Sequence, residues 1–273
     1  MAEREGQVPS ITEARAFCSS LLRDGTTIKQ VGRRPTDFAK LIAWSSVSWA
    51  DFVVEDLKKD AEDICRSLEF SRSLVANLLT GQISGYEDFD DEMGMLIPAI
   101  TVEKFKVNTN PLLILVKGNL IVTIHEAKVT RLQRLRRYAE TMMKKIPVEA
   151  SQQDKITHAL IRIIDENNGR NFDHLREIEA QGDELNKCLI DVNTPRAMLG
   201  EEIYQMKHAL LTYLNALWAT VDVINALRYG DAELLTDDPR LLARIGALST
   251  EVNNQISLAE HLSEVLASGL EVL

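Results

Sequence analysis

Aromatic residues make up only 5% of this 273-residue chain. That scarcity argues against an aromatic-rich sheet protein and for helices packed through Leu, Ile, Val and Ala. Cysteine is rarer still. Cys18, Cys65 and Cys188 stand far apart, with no CxxC and no neighbouring His, which gives neither a disulfide framework nor a zinc site and suits a reducing compartment. No apolar run reaches the ~18–20 residues of a membrane span. The closest, Ala209 to Leu227, is interrupted by Asn215, Asp222 and Asn225; it reads as a buried helix, because an Asp at mid-membrane depth is costly. The first residues, Met1-Ala-Glu-Arg-Glu-Gly6, lack the apolar segment of a signal peptide. An excess of positive charge is missing too: the net charge of −10 argues against general nucleic-acid binding. The chain reads as soluble.

Catalytic patterns are also absent. There is no GxSxG, no Walker loop and no GxGxxG. His125, His158, His174, His208 and His261 lie apart, without HxxxH or HxH spacing. The reading is a non-enzyme.

What is present falls into two halves of an α+β protein, an α/β head over 1–127 and a bundle of long helices over 128–273. In the head, Lys40 to Ser46 reads as a short strand, and Ser48-Trp-Ala-Asp51 as a weak capping box that opens a helix. Leu57, Ala61, Ile64 and Leu68 mark one helical face. Ser71 to Leu79 reads as a second short helix closed by Gly81, and Gly94 to Lys106 as a strand. Leu112-Leu-Ile-Leu-Val116 and Leu120-Ile-Val-Thr-Ile-His125, joined by Lys117-Gly118-Asn119, carry the clearest hairpin signal. Both runs are apolar at nearly every position, which predicts a sheet covered on both faces.

No strand signal follows His125. Val129 to Ile146 reads as an amphipathic helix stopped by Pro147. An antiparallel helical hairpin follows over about 151–230, its arms opened by Ser151 and by Thr194-Pro195. Asn167-Asn168-Gly169 should break the first arm by propensity. Asp238-Pro239 opens the last helix, over about 238–273. Leu241, Ile245, Leu248, Val252, Ile256, Ala259, Leu262, Leu266, Leu270 and Leu273 form one stripe along it. With no stop signal after the stripe, the economical reading is a chain cut from something longer, or a helix completed by copies of itself.

Two charge clusters remain. Tyr86-Glu-Asp-Phe-Asp-Asp-Glu92 offers hard oxygen ligands without EF-hand spacing, and a solvated loop is the plain reading. Lys128, Arg131, Arg134, Arg136, Arg137, Lys144 and Lys145 share one helix with the single acid Glu140. A solvated face is the default for it; the sharper alternative is a docking surface for an acidic element.

The succession Leu41-Ile-Ala-Trp44, Ser48-Trp49, the hairpin Leu112 to Ile124, the segment Ile121-Val-Thr-Ile-His125 before the basic Arg131 to Arg137 helix, and three long helices resembles the cytoplasmic region of the CorA family of divalent-cation transporters, over roughly residues 25–273. The resemblance implies a regulatory or gating region of a magnesium or cobalt transporter, on the cytoplasmic side of the membrane. Its last helix would be a stalk leading into membrane spans that this sequence does not contain, and it would assemble as a homopentamer. It also implies that Asn167-Asn168-Gly169 sits inside one long helix. The family senses Mg²⁺ through an acidic pair on a short head helix facing an Asp on the neighbour's stalk. Here the corresponding positions are Ala76-Asn77 and the stretch Ala247 to Glu251. Asn77 and Glu251 are therefore the candidate metal-site residues of a depleted ligand set. A zinc-transporting, ZntB-like relative and a soluble helical interaction scaffold are the alternatives.

Overall fold

Strand residues in the first half alternate between two apolar environments, so the sheet must be covered twice. The computed structural model describes residues 10–80, 83–190, 195–229 and 232–270, and only the backbone of 186, 189, 190, 196, 197 and 268–270. Its strands are β1 (Ala16–Leu22), β2 (Thr27–Gly32), β3 (Ser45–Val54), β4 (Gly85–Asp88), β5 (Glu92–Glu103), β6 (Lys106–Lys117) and β7 (Leu120–Glu126). They form one seven-stranded sheet in the order β2-β1-β3-β7-β6-β5-β4. β3 and β7 pair in parallel at its centre, and every other pairing is antiparallel.

Cys18, Ala50, Phe52, Leu96, Leu113 and Val122 form one core with α2 (Leu57–Ser67) and α3 (Arg72–Leu78). Phe17, Trp49, Met95, Ile97, Ile114 and Ile121 join the core of the long helices. The expected hairpin is present, with Lys117 opposite Leu120 and Gly118 at φ +54°, a left-handed conformation that glycine adopts freely. Gly94 on β5 serves close packing instead. A Cβ there would stand 2.6 Å from Leu78 Cδ1 and 2.7 Å from Leu115 Cδ2, and both leucines are buried. Gly94→Ala is expected to cost about 1–3 kcal/mol by overpacking, seen as a lower urea midpoint at unchanged slope.

Three expectations for the head are corrected. Lys40 to Trp44 is helical, within α1 (Ala39–Trp44), and β3 starts at Ser45. Upstream, Pro35 opens a 3-10 turn, Pro35–Phe38, and the Asp37 carboxylate accepts from the Arg33 and Arg34 N–H groups at 2.8 and 3.0 Å. This nucleated turn runs on into α1, until the Asn119 amide donates to the Ile42 and Ser45 carbonyls at 2.8 and 3.0 Å. Ser48-Trp-Ala-Asp51 lies in the middle of β3. The following helix starts instead at Asp56, which accepts from the Lys58 and Lys59 N–H groups. The strand expected up to Lys106 ends at Glu103, because the chain turns at Lys104, at φ +56°, into β6. The short helix expected from Ser71 is present as α3, with Ser71 as its N-cap, while Gly81 lies outside the described residues.

Among the described residues only helices follow β7: α4 (Thr130–Lys144), α5 (Gln152–Asn168), α6 (Asn171–Ile190), α7 (Arg196–Tyr229) and α8 (Pro239–Leu270). Ser151 Oγ accepts from the Asp154 N–H, and Asp238 Oδ1 from the Arg240 N–H at 2.7 Å; both caps fall where the sequence puts them. Among the described residues, α7 is the one helix long and apolar enough to cross a membrane. Its Leu210, Tyr213, Leu217 and Ile224 are buried in the core it shares with β5, β6 and α8.

The stripe on α8 corrects a further expectation. Leu241, Ile245, Leu248, Val252, Ile256, Ala259, Leu262 and Leu266 are all buried within this single chain, against α7 above all and also α5 and α6. The seam thus needs no second copy to cover it up to Leu266, because α7 matches α8 in length and lies alongside it. The side chain of Leu270, and Leu273 altogether, lie outside the described residues.

Candidate functional site

The basic helix is where the sequence reading and the structure differ most. Two of its seven cations turn inward. Arg136 is fully buried and donates from Nε to Asp51 Oδ2 at 2.6 Å. Its Nη1 donates to the Ala14 carbonyl at 2.5 Å and its Nη2 to the Asp51 carbonyl at 3.3 Å. Thr123 donates to Asp51 Oδ1 at 2.5 Å and receives the Trp49 indole N–H at 2.9 Å. His125 Nε2 lies 3.2 Å from the same carboxylate oxygen. Burial alone would raise the Asp51 pKa, but His125 and Arg136 more than reverse this and hold the carboxyl well below its usual range. Asp51, expected at a helix N-terminus, is therefore the buried counter-ion that ties α4 to the centre of the sheet.

Arg131, one and a half turns earlier, is buried without a carboxylate in hydrogen-bond reach. It donates to the carbonyls of Asn167 and Ile100 (3.0 Å for the latter) and to Asn171 Oδ1 at 3.3 Å, and lies 3.3 Å from His174 Nδ1. Since a guanidinium only donates, the His174 nitrogen must accept and the ring is neutral. Burial, followed by the Arg131 charge, takes the His174 pKa down to about 4.

The same contacts correct the reading of Asn167-Asn168-Gly169 as the inside of one long helix. α5 ends at Asn168 and α6 begins at Asn171. Arg131 takes the Asn167 carbonyl, Asn167 Nδ2 donates to the Pro98 carbonyl at 3.0 Å, and Tyr213 donates to the Asn171 carbonyl at 3.0 Å. Tertiary partners thus replace helical ones at the place where propensity is weakest.

The acidic cluster is divided. Glu92 is buried, accepts the Ser71 N–H at 3.0 and 3.1 Å and faces Lys117 at 3.4 Å, holding the start of α3 against β5 and β6. Asp91 lies 3.8 Å from the same lysine. No group of three or more His, Cys, Asp or Glu side chains is placed to hold a metal ion among the described residues.

Asn77 is exposed near the C-terminal end of α3, and Glu251 is half-buried on α8. α3 covers one face of the sheet and α8 belongs to the core on the other, so one chain does not bring the two residues together. Burial first, and then the charge of Asp165 on α5, pushes the Glu251 carboxyl up. The sequence reading missed Asp51, Arg131, Arg136, Asn171 and Gln255 as structural polar residues. Their partners lie far away in the chain, and only the run of arginines signalled any of them.

A mixed sheet flanked by helices and followed by long helices is the expected fold class; the seven strands and the parallel central pair are added by the structure. A family model described as CorA-like Mg²⁺ transporter protein matches residues 44–271. The chain belongs to the CorA-like family. Among solved structures, the complete CorA magnesium transporter of Methanocaldococcus jannaschii superposes with a TM-score of 0.73 at 20% identity, covering 94% of this chain and 75% of that one. The soluble domain of the same archaeal CorA gives 0.70 at 19% identity, with 97% of each chain covered. The ZntB cytoplasmic domain of Vibrio parahaemolyticus gives 0.61 at 16% identity, over 82% of this chain and 86% of that one. No curated protein sequence matches the chain. At these identities the structures establish the CorA soluble-domain fold.

Proposed function

We propose that this chain is the regulatory region of a CorA-like divalent-cation transporter, non-catalytic and working at the cytoplasmic face of a membrane. The observation that carries the reading is its match along 97% of the CorA soluble domain, together with the family model over 44–271. Asn77 and Glu251 lie on helices that cover opposite faces of the sheet, so a Mg²⁺ or Co²⁺ ion would bridge them only between two copies, as in a homopentamer. Binding that favours one arrangement of α8 over another would then bias gating. With two oxygen-bearing side chains in place of an acidic set, the affinity would be low, since Mg²⁺ and Ca²⁺ sites depend on carboxylate count.

Light scattering of the purified chain tests this. The expected result is a rise in mean mass in millimolar Mg²⁺ or Co²⁺, lost in Glu251→Ala. A mass unmoved by Mg²⁺, Co²⁺ and Zn²⁺ would exclude cation-driven association. A response to Zn²⁺ alone would favour the zinc-transporting reading, to which the resemblance to the ZntB cytoplasmic domain lends support.

A further inference from the structure

Gln255 is fully buried on α8, beside Val252, Ile256 and Ala259 of the aliphatic seam. Its Oε1 accepts from Asn171 Nδ2 at 3.1 Å. The polarity of that bond is dictated from the head. Arg131 can only donate, so Asn171 turns its oxygen to the guanidinium and its nitrogen to Gln255. Gln255 must then answer with its oxygen, and its Nε2 is left with no partner.

The facing end of α5 has matching orphans. Asn167 commits its nitrogen to the Pro98 carbonyl and to Asn168 Oδ1, which strands Asn167 Oδ1 as an acceptor and Asn168 Nδ2 as a donor. A buried donor on α8 and a buried acceptor on α5 thus stay unpaired around one helix break, where native structures rarely leave such groups.

We propose that Gln255 is a two-position latch: in a second seating of α8 on the α5–α6 break it releases Asn171 and donates its free nitrogen to Asn167 Oδ1. Each seating leaves some buried amide unpaired, which keeps the two close in energy. Asn171 and Asn167 are held to Arg131, Ile100 and Pro98, so the latch reports the seating of α8 to β5 and α4 of the head. The inference deepens the regulatory reading above and rests on it only for the claim that cations drive the change.

Methyl relaxation dispersion of Ile164, Val252 and Ile256 in the native chain is the test, since it detects exchange on the μs–ms scale. The expected result is exchange with a minor state of about 1–10%. In Gln255→Met, which keeps the length and removes the hydrogen-bonding atoms, the minor population should fall about tenfold or more. Flat profiles in the native chain overturn the latch whether or not the variant folds, and so does exchange that persists in Gln255→Met. Exchange that Gln255→Met abolishes but Mg²⁺, Co²⁺ and Zn²⁺ leave unchanged upholds the latch and counts against cation sensing.

Discussion

Asp51→Asn is expected to destabilise the chain by about 3–5 kcal/mol, because it removes one member of a fully buried ion pair and leaves Arg136 as an unmatched charge. Arg136→Met should cost a similar amount for the converse reason. The double variant Asp51→Asn, Arg136→Met should cost clearly less than the sum, since no charge of the pair is then stranded. Urea unfolding of the four proteins of this cycle measures the coupling; strictly additive losses would show that the pair makes no cooperative contribution. The pH dependence follows from the direction of the Asp51 shift. Its folded pKa lies below the ordinary carboxylate value of about 3.9, so its contribution is fully present above that value and is lost as pH falls below it. Asp51→Asn should flatten the stability profile below about pH 4. His174 acts in a separate window. Its pKa is about 4 when folded against an ordinary value of about 6.5. The unfolded chain therefore takes up the proton first, and stability falls between those two values as the solution is acidified.

Leu248→Ala and Leu262→Ala on α8 should each cost about 2–5 kcal/mol, and the two together roughly the sum, because they lie too far apart along the helix to share a cavity. The argument is the burial of both leucines inside one chain, so the loss should be independent of protein concentration. A midpoint that rises with concentration in the native chain and not in the variants would instead place these leucines in a contact between copies. Substitution at exposed Ala247 or Ser257 should leave the midpoint within about 0.5 kcal/mol of the native value and serves as the control.

Local chemistry was legible wherever neighbours in sequence are also partners in space. Ser151 and Asp238 cap helices as read, and Gly118 turns the predicted hairpin. The unread hairpin of β1 and β2 had such a signal as well: Asp24-Gly25, with Gly25 at φ +85° and Asp24 accepting the Thr26 N–H at 2.8 Å. Asp51 was misread because a carboxylate three residues after a serine matches a capping pattern. Its actual partner, Arg136, lies 85 positions away. The stripe on α8 was read as a seam left for other copies to complete, because periodicity does not say what buries it, and α7 does so within the same chain up to Leu266. The candidate site was the least legible part. Asn77 and Glu251 came from the order of elements, and the burial that raises the Glu251 carboxyl exists only once α8 is packed in the fold.

By itself the sequence determined the element types of the second half, the hairpin of β6 and β7, the two-sided burial of the sheet and, through the order of these parts, the family. Each is set by interactions within a few residues or by the period of apolar side chains, which a linear pattern records. The tertiary structure alone decided that Lys40 to Trp44 is helical, that two arginines of a basic helix enter the core, that the long helix breaks after Asn168, and that the α8 seam is covered within the chain up to Leu266. Those outcomes turn on where a buried charge or an unpaired amide finds its partner, and such partners are brought together only by the fold.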